Sequence, residues 1–187
     1  MYKEKIRPIL QDLESKENFV AGGSVVGIVL STVNSLIEYI ANLTLNKKNY
    51  EEVQEKIKEI LAKAEELKQK SMNAIDQDNE ILEELLATYK NRKEKEEEYQ
   101  NSCKKATEFC MQVVYIANDT LKLADDISKV GNKMLSSDFK ICRYYALASV
   151  WSAIENVYIN VKSIKDENYQ KNIEEKCNEI LKEAVLQ

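Results

Sequence analysis

From Tyr50 to Lys90 the chain places apolar residues at helical spacing without a break. One seam runs through Ile57, Ala64, Ser71, Asp78 and Leu85, and a second through Ile60/Leu61, Leu67, Ala74/Ile75, Ile81/Leu82 and Tyr89. The pattern predicts a single helix continuing to about Tyr89, roughly 60 Å long at ~1.5 Å per residue. Asp78 falls on an apolar seam, whereas Asp76 lands roughly on the opposite face. A carboxylate on a core stripe has two readings. Either it is a polar defect that fixes register or meets a backbone or lysine partner, or it lines a cleft between helices where burial raises its pKa toward that of a proton carrier.

The remaining pattern predicts five further helices. The first runs from Lys3 to Leu13, with Ile6, Ile9, Leu10 and Leu13 on one face and Pro8 bending it or moving its start. A polar loop over 14–24 follows, in which Gly22 and Gly23 form a short link ahead of Ser24, the expected N-cap. Amides exposed at such a positive helix end suit an anion or a close-packed ring system. Val25 to Leu45 is apolar enough to raise a membrane question. Ser31, Thr32, Asn34, Ser35, Glu38 and Asn42 make it instead the central buried helix of a bundle, ending near Asn46. Arg92 to Glu98 reads as a solvated turn. A fourth helix buries Cys103, Ala106, Cys110, Val113/Val114, Ala117, Leu121, Ala124 and Ile127, and Gly131 closes it as a C′ residue. Ser136, Ser137 and Asp138 cap a fifth helix through about Lys165, and a sixth runs from Asn168 to the end. The long helix exceeds the diameter of roughly 40 Å expected of a compact chain this size. Its overhang predicts an intertwined homodimer.

Composition narrows the class. Four glycines and one proline in 187 residues leave no strong breaker between Ile28 and Val130, so the fold is expected to be all-α, a multihelical bundle in one domain over 1–187. The net charge of −5 is spread over helix faces without a basic tract, which argues against nucleic-acid binding. The absence of histidine removes the commonest general base and zinc ligand, leaving Asp, Glu, Lys, Tyr or Cys for proton transfer. Cys103, Cys110, Cys142 and Cys177 show no CxxC pairing and read as small buried residues of a reducing, cytoplasmic compartment. The opening MYKEKIRPIL has no apolar run of the signal-peptide kind, so neither secretion nor a membrane span is expected.

Four polar patches, AGGS at 21–24, ANLTLNKKNY at 41–50, SMNAIDQDNEIL at 71–82 and GNKMLSSD at 131–138 leading to ENVYINVKSIKD at 155–166, occur in this order. Together they resemble the family of formimidoyltetrahydrofolate cyclodeaminases and methenyltetrahydrofolate cyclohydrolases over nearly the whole chain. The resemblance implies an intertwined helical dimer with a folate site built from these patches. Gly22, Gly23 and Ser24 match the family's glycine loop and serine, Asn42 and Lys48 its second patch, and Asp76 and Asp78 its paired aspartates. Asn132, Ser137 and Asp138 match the family's patch at 131–138, and Asn156 and Asn160 its asparagines in the stretch at 155–166. Val20 and Ala21 stand where proline and a further glycine are usual, Asn79 and Leu82 where alanine and phenylalanine are usual, and Arg92 and Cys110 where prolines are usual.

The chemistry so implied needs one acid/base group and neither a metal nor a tightly bound cofactor, with a tetrahydrofolate derivative as substrate. Asp78, or the Asp76/Asp78 pair, is the expected group, with Asp138 or Lys48 as helper. Asn42, Asn132, Asn156 and Asn160 offer amide donors and acceptors for a pterin edge, and Lys48 a contact for the glutamate tail. Hydration of a methenyl bridge is preferred over ammonia release because no formiminotransferase domain is attached. A helical scaffold without an active site is the competing class, and it has no need for Asn42, Asp78, Asn156 and Asn160 near one cleft.

Overall fold

The computed structural model describes residues 1–16 and 20–186, so the middle of the expected 14–24 loop lies outside the described residues. Among them are six α-helices, α1 (Tyr2–Glu14), α2 (Gly22–Asn42), α3 (Gln54–Lys90), α4 (Glu96–Val130), α5 (Ser136–Val161) and α6 (Glu167–Leu186), two single 3₁₀ turns and no strand. The all-α expectation holds, and the helix that carries Asp78 is 37 residues long, about 55 Å.

α2 packs on α3, α4 pairs with α3 and α5, and α2 and α5 lie side by side. The core is built from the predicted faces: Leu30, Ile37 and Ile40 of α2, Ile57, Ile60 and Leu67 of α3, Val114, Leu121 and Ile127 of α4, and Val150, Ile154 and Val157 of α5 are fully buried. α6 adds Ile173, Cys177 and Ala184, with Cys177 Sγ 3.6 Å from Met111 Sδ. Inside this apolar layer Asn34 donates to the Leu30 carbonyl at 2.9 Å and to Thr120 Oγ1 at 3.0 Å. A buried amide of this kind fixes the register of α2 against α4, because a slip breaks its bond to Thr120 inside the core.

Several boundaries differ from expectation. α2 begins at Gly22 with Ala21 as its N-cap, so the two glycines are its first residues and not a loop, and Ser24 is not the cap. Neither glycine has positive φ. α2 ends at Asn42, earlier than Asn46, because Asn46 (φ 55°) and Asn49 (φ 70°) take left-handed conformations that turn the chain. The side chain of Gln54 secures this turn by accepting from the Asn46 N–H at 2.8 Å and donating to the Tyr50 carbonyl at 2.8 Å. Gly131 has φ −72°, so it is not a left-handed C′ residue; a Cβ there meets the Ile127 carbonyl oxygen at 2.7 Å and the Phe139 ring at 2.9 Å. α5 ends at Val161, and the helix α1 runs through Pro8.

α2 is not buried all round. It has the length and apolarity of a membrane span, but half of that window is buried against the other helices and half is open. Val25, Tyr39 and Leu43 are exposed on it, as are Ile141, Tyr144, Tyr145, Trp151 and Ile159 on α5. α3 has no fully buried residue after Ala74, and Ile81 packs on the core only in part. α1 buries none of its residues.

Gly27 is the contact point of α2 with α3. A Cβ there meets Ile75 Cγ1 at 2.7 Å and the Ser71 carbonyl oxygen at 3.0 Å, so the helices cross at a distance that only glycine permits. Gly27→Val is expected to cost about 1–3 kcal/mol by overpacking, lowering Tm by about 3–10 °C in a circular-dichroism melt. An unchanged or higher Tm contradicts this close crossing.

Candidate active site

The first turn of α2 exposes backbone N–H groups that have no partner within the helix, and its N-cap, Ala21, has no side chain able to cap them. Asp78 supplies one from α3. Its carboxylate accepts from the Ser24 backbone N–H and, through Oδ2, from Ser24 Oγ at 3.0 Å. Ser24 Oγ also lies 3.3 Å from Asn79 Oδ1, so its single proton has two acceptors. A carboxylate at the positive end of a helix is electrostatically favourable.

Gly23 admits this carboxyl. A Cβ built on Gly23 falls 2.6 Å from Asp78 Cγ and 2.7 Å from Oδ2, inside van der Waals distance. The second glycine of AGGS is therefore a seat for Asp78. Burial raises the Asp78 pKa above its ordinary value, and the hydrogen bonds from Ser24 oppose that rise only in part.

Asp78 opens onto a crevice of about 140 Å³ where four helices meet. Gly22 and Gly23 of α2, Ile81, Leu82 and Leu85 of α3, Ala106, Phe109 and Cys110 of α4, and Asn156, Ile159 and Asn160 of α5 line it. Asn160 Nδ2 donates to the Asn156 carbonyl at 3.0 Å and to Cys110 Sγ at 3.4 Å. Burial, and secondarily the charge of Asp78, push the Cys110 thiol up to about 12, so it is neutral and not a nucleophile. The crevice shares Gly22 and Asn156 with an apolar groove of about 440 Å³ between α2 and α5, where Val25, Val29, Tyr145 and Ala148 form the walls. A separate groove between α3 and α4, about 360 Å³, is bordered by Lys70, Asn73 and Gln112 and contains no sheltered acid.

Of the sequence-predicted site residues, Gly22, Gly23, Ser24, Asp78, Asn156 and Asn160 come together here. Asp76 is exposed and does not border the crevice. The others gather at the opposite end of α2, about 30 Å away along its axis. There Asn42 and Lys48 are exposed, and Asn132 is buried. The Asn132 N–H donates to Thr44 Oγ1 at 3.0 Å, and the Lys133 N–H donates to Tyr50 Oη at 2.9 Å. Asn132 Oδ1 accepts from the Met134 N–H at 3.2 Å and caps the 3₁₀ turn before α5. Ser137 is exposed, and Asp138, half-buried, faces Cys142, whose thiol is pushed up to about 12 by burial first and by Asp138 second. Thr44 and Tyr50, which join the two patches, and Cys110, read above only as a core residue, were not anticipated as site residues. The family alignment of polar patches did contain the first two positions, within ANLTLNKKNY.

An all-helical chain with a sheltered carboxylate seated on a helix N-terminus and amide groups facing it has the features of an enzyme site with a single acid/base group. A family model described as formiminotransferase-cyclodeaminase matches residues 5–179, and the chain belongs to that family. A methenyltetrahydrofolate cyclohydrolase from Methylorubrum extorquens is 28% identical over 97% of this chain and 90% of its own length. The crystal structure of a formiminotetrahydrofolate cyclodeaminase from Thermotoga maritima superimposes with a TM-score of 0.86 at 28% identity, covering 97% of this chain and 88% of that one.

Because the Asp78 pKa is raised on folding, the folded state holds the proton more tightly than the unfolded chain. Its carboxylate therefore opposes folding above the folded pKa, and that opposition disappears below the unfolded pKa. Asp78→Asn keeps an oxygen for the Ser24 donors and removes the charge. Its Tm is expected to exceed that of the wild type by about 1–3 °C at pH 7 and to match it near pH 3.5. A lower Tm at pH 7 contradicts the balance in which desolvation outweighs the Ser24 hydrogen bonds.

Proposed function

We propose that this chain is a folate one-carbon enzyme that hydrates the methenyl bridge of 5,10-methenyltetrahydrofolate to give 10-formyltetrahydrofolate, with Asp78 as the acid/base group. The observation that carries this reading is the Asp78 carboxyl, partly desolvated and lodged in a crevice at the start of α2. Family membership and the similarity to a cyclohydrolase over nearly all of both chains support the substrate class.

In this reaction water attacks the cationic carbon between two folate nitrogens. Asp78 takes a proton from that water as the C–O bond forms, and it stabilises the cation beforehand. Collapse of the adduct breaks one C–N bond, the freed nitrogen takes up a proton, and the formyl group stays on the other. The same crevice suits the cyclodeaminase direction, supported by the similarity to the Thermotoga maritima enzyme. There a folate nitrogen attacks the formimino carbon and the protonated leaving nitrogen departs as ammonia.

A complete tetrahydrofolate is larger than the crevice, so the one-carbon end sits by Asp78 and the rest follows the groove between α2 and α5. That groove belongs to the open apolar face of the same two helices, on which α2 carries only one charged residue, Glu38, itself paired with Lys68 at 2.8 Å. A second copy covers this face. α2 and α5 run antiparallel, with the Asp78 crevice at one end and the Asn42, Asn132 and Asp138 cluster at the other. A twofold axis through the middle brings the crevice of one copy to the second cluster of its partner. This arrangement brings together the polar sets that a single chain keeps about 30 Å apart; against the scaffold reading stand the family membership and the two enzymes the chain resembles.

Purified protein should convert methenyltetrahydrofolate in an absorbance assay, and Asp78→Asn should lower kcat/KM by at least ~10²-fold. Initial rates of the wild type should rise with pH through the raised pKa of Asp78, since the base must be ionised. Wild-type turnover of neither methenyl- nor formiminotetrahydrofolate rejects the function, and full activity in Asp78→Asn rejects the residue. For the dimer, sedimentation at micromolar concentration should give about twice 21.6 kDa. Tyr144→Glu with Trp151→Glu should give a monomer with activity lowered ~10-fold or more, by analogy with charges placed in apolar interfaces. A fully active monomer contradicts the shared site.

A further inference from the structure

Asn160 sits near the end of α5 and borders the crevice together with Asp78 and Cys110. Its amide has two N–H groups, and the chain supplies an acceptor to its nitrogen on each of two sides, the Asn156 carbonyl at 3.0 Å and Cys110 Sγ at 3.4 Å. The amide cannot be turned over at no cost. With the ends exchanged, its oxygen would face the Asn156 carbonyl oxygen, two acceptors with no proton between them. The remaining polar atom is Oδ1, and among the described residues no protein group donates to it.

Cys110 is the unusual member of this set. Its thiol is a weak acceptor, neutral and buried, and its position on α4 aims it at the second N–H of Asn160. An aliphatic side chain there would fill the same volume and leave that N–H free to donate to a ligand. We infer that Asn160 meets the substrate only as a hydrogen-bond acceptor, with Cys110 as the positioning residue that withholds its second N–H. The ligand group seated there is then an N–H donor of the reduced pterin or its attached amide, and not one of their carbonyl oxygens. This rests on the folate reading above and adds to it the direction of one recognition contact.

The test is steady-state kinetics on the dimeric full chain with methenyltetrahydrofolate, at a pH where the wild-type rate is level. Asn160→Leu removes the acceptor and should raise KM about 10-fold, the scale of one lost hydrogen bond. Asn160→Asp keeps the substrate-facing acceptor but puts its second oxygen against the Asn156 carbonyl and its charge in the crevice that holds Asp78, so its KM should rise as well, yet by at least about threefold less than that of Asn160→Leu. If donation by Asn160 is what the substrate needs, the two variants lose KM equally, and the inference is overturned. Cys110 provides the independent arm should either Asn160 variant fail to fold. Cys110→Val should raise KM by about threefold or more with kcat moved much less, and Cys110→Ser, which restores an acceptor, should recover most of that loss. Equal KM values for the valine and serine variants overturn the positioning role. Wild-type protein that turns over no folate rejects the functional reading and the inference together, whereas active wild type with equal Asn160 variants rejects the inference alone.

Discussion

The Asp78 carboxyl, resting on the first turn of α2, is the contact on which the site depends. It caps a helix end that Ala21 leaves without a side-chain partner, and it does so from another helix. That single placement requires Gly23, whose missing Cβ makes room, and recruits Ser24, which donates through both its backbone N–H and its hydroxyl. It also draws α3 across the mouth formed by α2, α4 and α5. Capping alone would favour the charged form. Because the same contact removes the carboxyl from water, desolvation outweighs it and the proton is held more tightly than in solvent. The two readings of a polar residue on an apolar seam are thus not exclusive. One atom group fixes the helix end and keeps an acid/base group partly dry.

The surroundings of that contact keep the carboxyl sheltered in a chain that has no histidine. Phe109, Ile81 and Leu82 supply the apolar wall, Asn156 and Asn160 the polar one, and Cys110 stays neutral between them. At the far end of α2, Thr44, Tyr50 and Asn132 form a second polar knot that is well ordered by hydrogen bonds to backbone groups. The strip of α2 and α5 between the two ends is open and largely apolar, with Ser152 and Glu155 at its edge. In a chain whose other surfaces are dense in lysine and glutamate, such a strip marks an interaction surface. The proposed twofold contact gives it an occupant and gives the second knot a role in the same reaction.

Much of this was legible in the residue pattern. The heptad seams placed Ile57, Ala64, Leu67, Ser71 and Ala74 in the core, where they are buried, and Asp78 on the same seam, where it is half-buried, because a 3.6-residue period is a local property. Asp76 was read on the outer face for the same reason and is exposed. The polar patches identified the family, yet their order along the chain gave no measure of distance. α2 is long enough to separate the patches at 41–50 and 131–138 from the first, and only the antiparallel packing of α2 and α5 shows which ends meet. The glycine pair was read as a loop because glycine commonly marks one. Here it begins a helix, and its function is the approach of a side chain from elsewhere in the fold, a contact that no local rule contains. Cys110 was hidden for a related reason. On α4 it has the phase of a core residue, and its hydrogen bond comes from a residue fifty positions later.

The claim that a sheltered carboxyl occupies position 78 can be tested on the protein alone, before any substrate is added. Titration of the Asp78 side-chain carboxyl carbon by NMR, assigned by its loss in Asp78→Asn, reports the ionisation of this group directly. The structure predicts a midpoint above the ordinary aspartate value of about 3.9. A midpoint at or below that value would show that the carboxyl is solvated or dominated by the helix end, and would contradict the account.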